Sequence, residues 1–94
     1  MNIQHNATRQ LFTSGEANQP SAELAYELPA PGLVDFVHTF VPEARRGQGE
    51  ADALAHAGLD FARAQHLRVR TSCRFMAIFV ARHHAEYAAI LEAV

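Results

Sequence analysis

The period of the chain changes once, and the change falls on a turn that carries both positive charge and glycine. In residues 22–28 the apolar side chains of Ala22, Leu24, Tyr26 and Leu28 alternate with Glu23 and Glu27, the pattern of a half-buried strand. Residues 33–41 hold Val34, Phe36, Val37, Phe40 and Val41, types that favour an extended backbone, and Pro42 ends the run by removing a donor. From 48 to 65 the apolar positions Ala51, Leu54, Ala55, Gly58, Phe61 and Ala62 follow helical spacing. Between these periods lies Glu43-Ala44-Arg45-Arg46-Gly47-Gln48-Gly49. A chain built this way must leave a sheet, turn sharply, and start a helix with unpaired amides beside arginine.

The remaining elements follow from shorter signals. Residues 10–13 read as a strand, and Pro29-Ala30-Pro31-Gly32 reverses the chain between the next two. Short links make an antiparallel meander the simplest topology for these three strands. Residues 67–72 read as a further strand, 75–81 as a helix and 86–94 as a last short helix. The expected order is β-β-β-α-β-α-α, an α/β sheet with helices on its faces. Residues 1–9 are polar and read as a flexible arm, which leaves 10–94 as one domain. Gly58, inside a helix, implies close packing on the sheet.

Size and charge narrow the function. At 94 residues a single core is available, and a deep private pocket would consume much of it. A net charge of −2 recruits neither nucleic acid nor an anionic membrane, so neither is an expected partner. One cysteine, no long apolar run and a polar start point to a cytoplasmic setting. The six histidines show no spacing suited to a metal, and no metal site is expected.

The turn itself suits an anion. The first N–H groups of a helix lack intrahelical acceptors, and the dipole makes that end positive. Gly47 and Gly49 let the backbone come close to a phosphate, and Arg45 and Arg46 add full charges. The turn is not a nucleotide P-loop, because no Gly-Lys-Ser/Thr follows. It is not the dinucleotide fingerprint either, since Asp52 stands at the place of the third glycine. An ordinary strand-to-helix connection with solvated arginines remains the alternative.

The run Val41-Pro42-Glu43-Ala44-Arg45-Arg46-Gly47-Gln48-Gly49 resembles the acetyl-CoA motif of the GCN5-related N-acetyltransferases, and of their small, truncated members in particular. Further pieces in order are His38-Thr39-Phe40-Val41, Thr71-Ser72-Cys73-Arg74-Phe75 and His84-Ala85-Glu86-Tyr87. The resemblance implies a mostly antiparallel sheet with a V-shaped cofactor cleft. It implies that backbone groups of Phe40 and Val41 meet the pantetheine arm of acetyl-CoA. By the same resemblance Arg45, Arg46, Gly47, Gln48, Gly49 and Glu50 surround the pyrophosphate. The implied activity is acetyl transfer from acetyl-CoA to an amine or protein lysine, with a non-catalytic acyl-CoA-binding or protein-interaction module as the alternative. The short chain leaves the acceptor side open or completed by another copy, as in a homodimer, or by the substrate protein.

Three positions depart from the family pattern. Ala44 stands where Gln or Arg is usual, and Glu50 where an apolar residue is common. Phe79 occupies a place where many relatives have a tyrosine that protonates the leaving thiolate, and phenylalanine has no proton to give. The candidate catalytic groups are therefore Cys73 and His38. Positive neighbours Arg70 and Arg74 would favour the thiolate of Cys73, which otherwise serves as a small buried side chain. His38 either acts as a base or, by strand alternation with Phe36 and Phe40, packs on an apolar face.

Overall fold

The computed structural model describes residues 2–15 and 18–92. Five strands form one sheet in the order β1-β2-β3-β4-β5. They are β1 (Ile3–Asn6), β2 (Leu11–Ser14), β3 (Ala22–Ala30), β4 (Leu33–Phe40) and β5 (Arg68–Thr71). The first three pairings are antiparallel, and β4 pairs with β5 in parallel. That parallel pair requires a crossover, supplied by α1 (Glu50–Ala64). After β5 come α2 (Arg74–Arg82) and α3 (His84–Tyr87).

Two expectations need correction. The polar stretch 1–9 is not an arm throughout, because Ile3–Asn6 pairs with β2. His5 holds it there: its ring stacks on Phe12 with centroids 4.2 Å apart, and Nε2 lies 2.7 Å from the Tyr26 hydroxyl. The last helix is shorter than 86–94. It gives way to a 3-10 turn at Ala88–Ile90, and Leu91 then bridges Val69 of β5. Residues 93 and 94 of that expected helix lie outside the described residues.

One buried cluster joins the sheet to the helices. Phe12, Leu24, Tyr26, Val34 and Phe36 of the sheet meet Leu54, Ala55, Leu59 and Ala62 of α1, with Met76, Phe79, Val80 and Tyr87 beyond. Side chains on the opposite face of the sheet, including Glu23, Ala25, Glu27, His38 and Phe40, are half-buried or exposed. Each fully buried large apolar side chain stabilises the fold by roughly 1.5–3 kcal/mol. Gly58 touches the sheet as its sequence position suggests. A Cβ there would lie 2.8 Å from both Leu24 Cδ2 and Phe36 Cε1.

Tyr87 pins the helices together. It is fully buried, its hydroxyl lies 2.8 Å from His56 Nδ1, and Arg63 sits over its ring at 5.2 Å. Burial, with the nearby Glu86 adding to it, pushes its hydroxyl up to about 12. Burial raises Tyr26 as well. An unfolded tyrosine ionises near its ordinary 10.0, so the unfolded chain gains charge before the folded one does. Stability should therefore fall as pH rises above about 10, and tyrosinate absorbance should lag the denatured titration until about 12. Tyr87→Phe should remove much of that lag; a native titration curve coincident with the denatured one would contradict this account.

Candidate acyl-CoA cleft

The cleft begins where β4 outruns β5. Their register ends at Phe36 and Thr71, yet β4 continues to Phe40. The Cys73 amide donates to the Phe36 carbonyl at 2.8 Å, and the chain then turns away into α2. The edge of β4 beyond Phe36 therefore has no neighbour from β5.

A bulge decides which residues face this open edge. Tyr26 pairs with Phe36 but Ala25 pairs with His38, so Val37 is an extra residue on β4. The Tyr26 amide donates to Gln10, so Tyr26 turns toward β2, and Ala25 and Glu23 turn toward β4. Their partners His38 and Phe40 then spend their backbone groups on β3. Thr39 presents its main chain to the gap. This corrects the expectation for Phe40, whose place in the opening is as a wall residue, 42% exposed. The Val41 carbonyl already accepts from Arg46 Nε at 3.0 Å. The bulge also moves His38 off the face of Phe36. His38 is exposed rather than packed, and no hydrogen bond joins it to Cys73 among the described residues.

Cys73 sits at the root of the gap. It is half-buried at the start of α2, and its Sγ lies 3.2 Å from Thr39 Oγ1. Thr39 is the side chain that sequence reasoning passed over as an individual candidate, although it lies within the quoted His38-Thr39-Phe40-Val41 piece. Of the arginines expected to favour thiolate, Arg70 is spent elsewhere: it makes two bonds to Glu92, at 2.8 and 2.7 Å. Phe79 is 3% exposed and packs with His56, Phe75, His83 and Tyr87.

Beyond the gap the glycine turn leads into α1. Gly47 and Gly49 have φ of 82° and 85°, the left-handed region that an L side chain enters only with strain. A Cβ at either position would meet no atom within 4 Å. The first helical bond runs from Ala53 to Gly49 at 3.0 Å. That leaves the amides of Glu50, Ala51 and Asp52 without intrahelical acceptors, and among the described residues no side chain caps the helix. Here the amides remain available to an anion.

The charges are arranged differently from the expectation. Arg45 Nε donates to Glu50 Oε1 at 2.8 Å, and Ser14 Oγ donates to Glu50 Oε2 at 3.0 Å. The hydrogen bond from Arg45 holds the Glu50 carboxyl below its ordinary range, against burial, with Ser14 and the Arg45 charge assisting. Arg46, by contrast, is exposed and lines both openings of the cleft. One opening, of about 390 Å³, is walled by Arg45, Arg46, Gly47, Gly49, Glu50 and Asp52 among others. The other, of about 310 Å³, is walled by Thr39, Phe40 and Phe75 among others. Val41, Arg46 and Ala51 belong to both, so they form adjoining parts of one surface.

This geometry has counterparts. The family model of the GCN5-related N-acetyltransferases matches residues 10–90. The chain belongs to that family. Protein NATD1 of Bos taurus is 38% identical over 79 residues, covering 83% of this chain and 70% of the relative. Protein NATD1 of Danio rerio is 33% identical over 89 residues, covering 93% and 81%. A GCN5-like putative N-acetyltransferase from Staphylococcus aureus, solved by NMR, superposes with a TM-score of 0.71 at 21% identity. It covers 99% of this chain and 89% of its own, which places the two in the same fold. The α/β class and the membership of the GCN5-related family expected from sequence therefore hold. Among the described residues no helix is long and apolar enough to cross a membrane, and no group of three or more His, Cys, Asp or Glu could hold a metal ion.

Proposed function

We propose that this protein is an acyl-CoA-dependent N-acetyltransferase that moves an acetyl group to an amine, a small amine or a protein lysine. The observation that carries the reading is the continuity of the two openings: uncapped helix amides lie at one end and an unpaired strand edge with Cys73 at the other. Acetyl-CoA is extended, with a diphosphate and an amide-containing arm, and this surface offers donors suited to each in sequence. The amides of residues 47–52 and the Arg46 guanidinium take the diphosphate. Backbone groups of Thr39 align the arm by hydrogen bonds. The donor supplies the activated thioester, and the protein supplies position and proton handling.

Cys73 and Thr39 are the polar side chains at the root of the gap. With phenylalanine buried at position 79, proton donation falls to this pair or to solvent. His38 is exposed beside Phe40 on the outer sheet face and serves as a base for an acceptor arriving from there. A non-catalytic acyl-CoA-binding module is the second reading, favoured by that phenylalanine.

The test combines calorimetric titration with acetyl-CoA and release of free thiol in the presence of an amine panel. Binding with thiol release is the expected result. Binding without release from any amine would favour the second reading, and absence of binding would remove both. Cys73→Ala separates the roles of the cysteine: a fall in turnover of at least about tenfold assigns it to proton transfer, and unchanged turnover assigns it to lining. The sequence contains no lysine, so protein-bound acetyl can be traced to Cys73 by its absence from Cys73→Ala.

A further inference from the structure

Arg45 and Glu50 stand at the two ends of the glycine turn, five residues apart, and their side chains meet across it. Besides the 2.8 Å bond, Arg45 Nη2 lies 3.4 Å from Glu50 Oε2. The same Oε2 accepts from Ser14 at the end of β2. Glu50 is 6% exposed and Ser14 is 2% exposed. One carboxylate thus joins the end of a strand, the entry to the turn and the first residue of α1.

Placing it there is costly in two ways. A buried carboxylate loses hydration and must be compensated by full pairing. A negative charge beside an anion site also repels the anion. The helix dipole favours Glu50 at this position, but an exposed side chain would gain from the dipole equally well. What burial adds is geometry. With both ends of residues 46–49 held, the left-handed glycines keep their φ and the amides beyond them keep their direction.

We propose that Glu50 is a positioning residue: with Arg45 and Ser14 it closes a clasp over the glycine turn that fixes the main-chain amides for a diphosphate. Arg45 is the partner in the clasp, and Arg46 is the cation that meets the ligand. The proposal rests on the acyl-CoA reading above for its ligand, but not for the clasp itself.

The sign of one substitution tests it. Glu50→Gln removes a negative charge, so electrostatics alone would tighten acetyl-CoA. The clasp requires the opposite, a Kd raised about tenfold by calorimetry. The double variant Glu50→Gln with Arg45→Gln should be no weaker than the weaker single variant, because the clasp is already open. Tighter or unchanged binding by Glu50→Gln overturns the proposal. So does a double variant whose loss is the product of the two single losses, which would make Arg45 a phosphate ligand.

Amide hydrogen exchange of the free protein reads the clasp without any ligand. In Glu50→Gln the hydrogen-bonded amides at the edges of the turn, Arg46 (to Glu43) and Ala53 (to Gly49), should exchange faster, with Leu24 and Phe36 unchanged. Equal exchange in the turn overturns the clasp even if acetyl-CoA fails to bind the native protein, a failure that would sink only the acyl-CoA reading. If Glu50→Gln does not fold, Arg45→Lys takes its place: it keeps the charge but breaks the forked contact, so faster exchange in the turn is expected and unaltered exchange rejects the clasp.

Discussion

On the proposed acyl-CoA reading, Gly49→Val should lower affinity for acetyl-CoA by at least about 100-fold while the protein stays folded, for reasons that separate the turn from the core. At φ of 85° a β-branched residue is strained, and an L residue there costs roughly 1–2 kcal/mol. No protein atom lies within 4 Å of the added Cβ, so the fold meets no clash. Gly49 lines the same opening as Glu50, Ala51 and Asp52, so the added side chain should crowd an anion held there. Hydrogen bonds to a charged group are worth about 1.5–3 kcal/mol each, and losing one or two accounts for the expected factor. Gly49→Ala should fall between the native protein and the valine variant. Titration by calorimetry, alongside thermal unfolding, checks both halves. Native-like affinity in a folded Gly49→Val would place the diphosphate elsewhere.

That turn was legible because its information is local. Glycines, arginines and a change of period lie within a dozen residues, and the helix start at Glu50 follows from them to within two residues. The strands β3 and β4 were legible for the same reason. What escaped was set by contacts between distant residues. Nothing in Ile3-Gln4-His5-Asn6 reads as a strand; His5 makes it one by stacking on Phe12 and bonding Tyr26. The facing of His38 and Phe40 was misjudged because plain alternation assumes an unbroken strand, and the bulge at Val37 shifts the parity of every later residue. The clasp escaped for a third reason. An Arg–Glu pair five apart suggests two solvated charges, and only the buried end of β2, with Ser14, turns it inward. Thus the chemistry of the turn came from sequence, and the orientation of its neighbours came from packing.

Gly58→Leu should cost at least about 3 kcal/mol of stability, a large share of the roughly 5–14 kcal/mol that holds a domain of this size folded. The argument weighs two opposed effects. In a helix, glycine is about 1 kcal/mol worse than alanine, so a residue with a side chain should help if space existed. Space does not exist. The added Cβ alone would stand 2.8 Å from Leu24 Cδ2, 2.8 Å from Phe36 Cε1 and 3.1 Å from Phe36 Cζ. Leu24 and Phe36 are both fully buried, on adjacent strands, so neither side chain can move away without displacing others. Overpacking of this kind typically costs about 1–3 kcal/mol for a small group, which outweighs the helical gain even for Gly58→Ala. Leucine adds three further carbons against the same wall, forcing α1 off the sheet. Because α1 begins at the glycine turn, its displacement should also misplace the amides of residues 50–52. Urea unfolding of Gly58→Ala and Gly58→Leu measures both steps. An alanine variant more stable than the native protein would show that α1 can yield at this contact, and the account of close approach would then be wrong.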